Sequence, residues 1–171
     1  TDLGYELPAL FEDVDTLQMP PALQEQYEEV DKDLLQEAIR IAMENGDPGG
    51  LSVWFNTVRF RPASAWRDEQ VHYEGKRGGE LHADLPAVVQ AGFLPKEQAL
   101  AEIVRKNMLK DRKTLVFVEQ TGTRDIRRRL AEAVQALVPS ARVETLSASD
   151  MPPAVREAWI KQKAPEIDVL L

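Results

Sequence analysis

The sequence has no cysteine, only two histidines, and 6% aromatic residues among 171. The first absence removes disulfides, thiolate zinc sites and cysteine nucleophiles, and it suits a reducing compartment. A cytoplasmic chain is the expectation. No apolar run approaches the roughly 20 residues that cross a bilayer, and no basic start leads into an apolar stretch, so neither a membrane anchor nor a signal peptide is expected. With 43% hydrophobic residues, the chain is long enough to bury a core of one domain, or of one domain plus an appendage.

Charge is unevenly spread. The formal net charge of -8 argues at first against nucleic acid, whose non-specific affinity comes from basic groups displacing counterions. Residues 1–47, however, hold 13 acids and two bases, whereas residues 105–129 hold nine bases and three acids. A solvated helix face is the plain account of such a cluster.

Residues 1–19 read as extended, with a short strand around Glu12 to Leu17. Leu23, Tyr27, Val30, Leu34, Ala38 and Ile41 then recur every three or four positions, predicting a long amphipathic helix from Pro20 to Asn45-Gly46. Leu51 to Phe60 reads as a short helix stopped by Pro62, and Ala63 to Pro86 as a loop or weak hairpin. His72 and His82 lie in this stretch. Their ten-residue spacing is not that of a helical metal pair, and they read as surface histidines with no metal expected.

Beyond Pro95 the pattern is regular. Leu100, Ile103, Val104 and Met108 mark a helix, Thr114 to Val118 a strand, Ile126, Leu130, Val134 and Leu137 a helix, and Arg142 to Leu146 a strand. A third helix opens at Asp150 and its following prolines, with Val155, Trp159 and Ile160 facing inward, and Asp168 to Leu171 is a last strand. Strand and helix in alternation with short links predict right-handed parallel crossovers, half of a doubly wound sheet.

In such a sheet ligands gather beyond the carboxyl ends of the strands, near helix N-termini. Two loops fall there, Glu119 to Arg124 and Ser147 to Asp150. Thr121, Gly122 and Thr123 offer hydroxyls and a small residue, and Arg124, Arg127 and Arg128 supply charge, so the loop could hold phosphate. It could equally be a helix start capped by threonine. GDPGG and GKRGGE do not meet the GxxxxGK[ST] pattern, no G-x-S-x-G is present, and no catalytic residue is expected.

LPKEQALAEIVRKNMLKDRKTLVFVEQTGTRDIRRRLAEAV, followed by TLSASDMPPAVREAWIKQKAPEIDVLL, resembles the start of the second RecA-like lobe of superfamily-two helicases, above all the Swi/Snf-type DNA translocases. LFEDVDTLQMPPALQEQYEEV is similar to the segment joining the two lobes of that family. The resemblance implies an α/β fold: a partial RecA-like parallel sheet with flanking helices over 93–171, preceded by a mainly helical interlobe segment with an irregular region over 1–92. It also implies that the chain is part of an ATP-driven motor whose first lobe, ATP and magnesium belong to the longer parent. The piece itself would have no cofactor and no ATPase activity.

On this resemblance Thr121, Gly122, Thr123 and Arg124, with Ser147 and Ser149 on the same edge, would contact the DNA or RNA backbone. The start at Thr1 and the apolar end at Asp168 to Leu171 fit an excised piece. Two alternatives remain. One is a protein-interaction module docking through the acidic N-terminal helix, which needs an exposed apolar face on Leu23, Tyr27 and Leu34. The other is a small nucleotide-binding enzyme using the Thr-Gly-Thr loop.

Overall fold

In the computed structural model, which describes residues 12–88, 92–119, 122–147 and 149–171, the chain is mixed α/β. Helix α1 spans Pro21–Asn45 and buries Leu23, Val30, Leu34, Ala38 and Ile41 along one stripe. Pro21 sits in its first turn, where a missing N–H costs nothing, and Gly46 ends it in the left-handed conformation at φ 64°. Glu12 to Leu17 form no strand; these residues are exposed and have no neighbouring chain to complete a ladder.

Helix α2 spans Gly49–Ser64 and carries Pro62 inside it, so the expected stop at that proline does not occur. Neighbouring Arg61 explains why. Its guanidinium is buried under the last turn and donates to Gln26 Oε1 at 2.8 Å, to the Arg67 carbonyl at 2.9 Å and to the Pro86 carbonyl. Tertiary hydrogen bonds thus hold the turn that local propensity, at about 3 kcal/mol for an interior proline, would end.

The glycine-rich stretch after α2 is a true hairpin. Strands β1 (Glu69–Glu74) and β2 (Glu80–Leu85) pair antiparallel, with His72 directly opposite His82. Alternation sends Val71, Leu81 and Leu85 into a core shared with Val30, Leu34, Ala38, Ile41 and Val58, and leaves the other face in solvent. Gly78 and Gly79, both at φ 89°, make the reversal that an L side chain would resist.

Helix α3 (Pro95–Met108) starts at Leu94, whose N–H donates to Glu97 Oε2 at 2.7 Å. Strand β3 (Thr114–Leu115), helix α4 (Arg127–Leu137), strand β4 (Val143–Glu144), helix α5 (Pro153–Lys163) and strand β5 (Val169–Leu170) follow. The three strands are parallel in the order β3-β5-β4, with Thr114, Val169 and Val143 in register. Their ladders are shorter than the apolar runs implied. Ala101 and Val104 of α3, Val134 of α4, Val138 just after it, and Val169 form the core against this sheet.

Two expectations about inward faces change. Ile103 is largely exposed, Ala101 taking its place in the core. In α5 no residue is buried: Val155 and Ile160 are exposed and Trp159 is only half-buried. Residues 12–88 and 92–171 meet through a small cluster of Leu23, Ala65 and Leu94. On α1, Leu23 and Leu34 are buried by the chain itself and Tyr27 packs on the core that holds Leu34. Among the described residues no helix is long and apolar enough to cross a membrane.

Candidate nucleic-acid interface

Both loops named by the sequence leave the carboxyl ends of parallel strands of one sheet, β3 and β4. Thr121 lies outside the described residues. Gly122 and Thr123 are exposed, and nothing stands within 4 Å of where a Cβ would extend from Gly122. A ligand backbone could approach there without displacing protein atoms.

Thr123 does not cap the helix. Helix α4 begins only at Arg127, and the acceptor at its start is Asp125 Oδ1, 3.0 Å from the Arg127 N–H. Arg127 turns back on the same carboxylate, with its Nη2 2.6 Å from Oδ2. That hydrogen bond holds the Asp125 carboxyl below the usual carboxylate range and raises the guanidinium of Arg127 above its own. The turn is closed by the Asp125 N–H donating to the Gly122 carbonyl at 3.0 Å.

Arg124 does not project into solvent. It pairs with Glu69 at the start of β1, lies 3.3 Å from Thr57 Oγ1 and rests over the Phe60 ring. Arg67 donates to the Thr123 carbonyl at 3.3 Å, and Arg59 pairs with Glu119 at 2.6 Å. The loop after β3 is therefore fastened to α2 and the hairpin. A cleft of about 660 Å³ beside Gly122 is lined by Arg67 and Arg124 but also by Asp68, Glu69 and Glu119. Three carboxylates against two guanidinium groups give this cleft no positive excess.

The second loop is similarly self-contained. Ser147 is buried, its Oγ lies 2.8 Å from Ser149 Oγ, and its N–H donates to Asp150 Oδ2 at 2.7 Å. Ser149 is exposed. The start of α4 and the second loop share a rim: Asp125, Arg127, Arg128 and Glu132 from one side and Thr145 and Asp150 from the other line a second cleft of about 470 Å³, again with three carboxylates against two guanidinium groups. Arg128 is the more exposed arginine of this rim: its side chain is 93% exposed and pairs with Glu132 at 3.0 Å. Arg129 is turned away, held by Glu97 at 2.8 Å and by the Gly92 carbonyl at 2.7 Å.

The sequence pattern does not single out Asp125, and it assigns Asp150 to the opening of a helix; instead each acid sets its own loop, and α5 starts only at Pro153. Their signal was an aspartate two residues before Arg127 and three after Ser147, the spacing at which a short acidic side chain reaches a backbone N–H. Among the described residues, no three or more histidine, aspartate or glutamate side chains converge as a metal cage. Comparison with protein-family models, curated proteins and solved structures finds no match to this chain.

Proposed function

We propose that this chain is the nucleic-acid-facing part of the second motor lobe of an ATP-driven translocase or helicase of the Swi/Snf-like kind, its parallel sheet being a partial RecA-like one. The observation that carries the reading is the common sheet edge: both loops leave the carboxyl ends of parallel strands of one sheet, and the start of α4, with Arg127 and Arg128, lines one cleft with Thr145 and Asp150. Exposed Gly122, Thr123 and Ser149 would meet backbone phosphates without reading bases, and Arg128 would supply the charge. Arg124 serves this site indirectly, by tying the loop to Glu69. ATP and magnesium act in the parent protein, where the missing first lobe would complete the nucleotide site; this stretch hydrolyses nothing alone.

The test is fluorescence anisotropy with labelled duplex DNA and single-stranded RNA at about 50 mM salt, repeated at rising salt. Binding should be weak and salt-sensitive, and Arg128→Ala should lower the salt slope by about one released counterion. Absence of binding to either polymer, or a slope unchanged in an Arg127→Ala, Arg128→Ala variant, refutes the assignment of the rim.

A further inference from the structure

The two histidines of the chain stand side by side on the solvent face of the β1–β2 hairpin, away from the rim. They are direct cross-strand partners, their ring centres 6.3 Å apart and the planes inclined at 65°. Alternation places Glu74, Glu80 and Asp84 on the same face. His72 turns Nδ1 toward Glu80 Oε1 at 3.5 Å, and His82 turns Nε2 toward Asp84 Oδ2 at 3.3 Å. Gln70 in turn donates to Asp84 Oδ1 at 3.0 Å.

Each imidazole therefore offers one nitrogen to a carboxylate and keeps the other for a ligand. This is the arrangement in which an outer carboxylate fixes the tautomer and strengthens a metal-binding histidine. The strands beneath are anchored: Val71, Leu81 and Leu85 are buried on the opposite face, and the Tyr73 hydroxyl donates to Asp47 at 2.8 Å. With zinc–nitrogen bonds of about 2.0–2.1 Å, two imidazoles on one tetrahedral ion have ring centres about 5 Å apart, so closing the present gap takes about 1 Å of side-chain rotation. Side-chain exposures of 57% for His72 and 51% for His82 leave room for that movement and for waters on the ion.

We propose that His72 and His82 form a two-imidazole clamp for a borderline divalent transition ion such as Zn²⁺, with water completing the coordination and Glu80 and Asp84 accepting from the ring N–H groups. Nitrogen donors select such ions over magnesium and calcium, and the three carboxylates raise the local cation concentration. The bound ion crosslinks β1 to β2.

Because the chain has only these two histidines, their ring proton signals report the site directly. Titration of the whole chain with Zn²⁺ at neutral pH, followed by calorimetry and by proton NMR, should show about one equivalent bound with both rings shifting together, and no shift with Mg²⁺. His72→Ala and His82→Ala, both at exposed positions, should each weaken binding by at least about tenfold, and the Glu80→Gln, Asp84→Asn double variant by a smaller factor. Three results overturn the clamp: no binding, a shift of one ring only, or undiminished binding in the His72→Ala, His82→Ala variant.

Discussion

Replacing Arg61 by methionine tests how the N-terminal half of the fold is held. The guanidinium is 1% exposed and serves Gln26 Oε1, the Arg67 carbonyl and the Pro86 carbonyl, with the Ser64 carbonyl at the limit of 3.5 Å. Burial pushes its pKa down, the Glu69 carboxylate 4.0 Å away opposing the shift, and the guanidinium remains charged. Methionine fills much of the stem volume and removes the cost of desolvating a cation, which is favourable by a few kcal/mol.

Against that gain stand the lost bonds. The Pro86 carbonyl keeps a donor, Gln26 Nε2 at 3.0 Å, but the Arg67 carbonyl loses its donation from Arg61. Charge-assisted hydrogen bonds contribute about 1.5–3 kcal/mol each, and a stranded buried acceptor costs about 1–3 kcal/mol, so the losses exceed the gain. A net destabilisation of about 3 kcal/mol is expected, within the range for breaking a buried charged network. Urea unfolding followed by circular dichroism measures it, with a fall in melting temperature of about 6–12 °C. Arg40→Met is the control: that arginine pairs with Glu37 and Glu44 in solvent, and its loss should leave the urea midpoint essentially unchanged. A loss below about 1 kcal/mol for Arg61→Met would refute the view that this side chain carries α2 past Pro62.

The acid limb of stability should depend on Asp168. Hydrogen bonds from Arg142 lower its pKa to about 2, so its contribution is present above the unfolded carboxylate value and is lost as pH falls from about 4 to about 2. With Arg142 half exposed, the contribution is on the order of 1 kcal/mol, and Asp168→Asn should flatten that part of a urea-midpoint profile against pH. Gly79→Ala should destabilise by about 1–2 kcal/mol, because φ 89° is unfavourable for alanine and its Cβ would meet Ile41 Cγ1 at 3.0 Å. A neutral result in thermal unfolding would contradict a positive φ at Gly79 in the hairpin turn.

The sequence by itself determined where α1, α3 and α4 lie and that the last three strands run parallel; their order across the sheet, β3-β5-β4, was set by the tertiary structure. Apolar residues at helical spacing, prolines at helix starts and a glycine after Asn45 act locally, so α1, α3 and α4 can be read from one segment at a time. The candidate rim followed from the alternation of strand and helix, since parallel strands bring successive loops to the same end. Local rules could not foresee the continuation of α2 through Pro62, which depends on Arg61 meeting carbonyls 6 and 25 residues away.

Nor could they place Arg124 on Glu69, 55 positions earlier in the chain, or leave α5 without a buried residue. The basic cluster looked free because charge in a sequence carries no record of its partners; folding turned Arg124, Arg127, Arg128 and Arg129 all onto carboxylates, with only the Arg128–Glu132 pair lying in solvent. His72 and His82 show the same limit. Ten residues apart they signal nothing, and only the register of an antiparallel hairpin, fixed by burying Val71 and Leu81 on the opposite face, sets the two rings together.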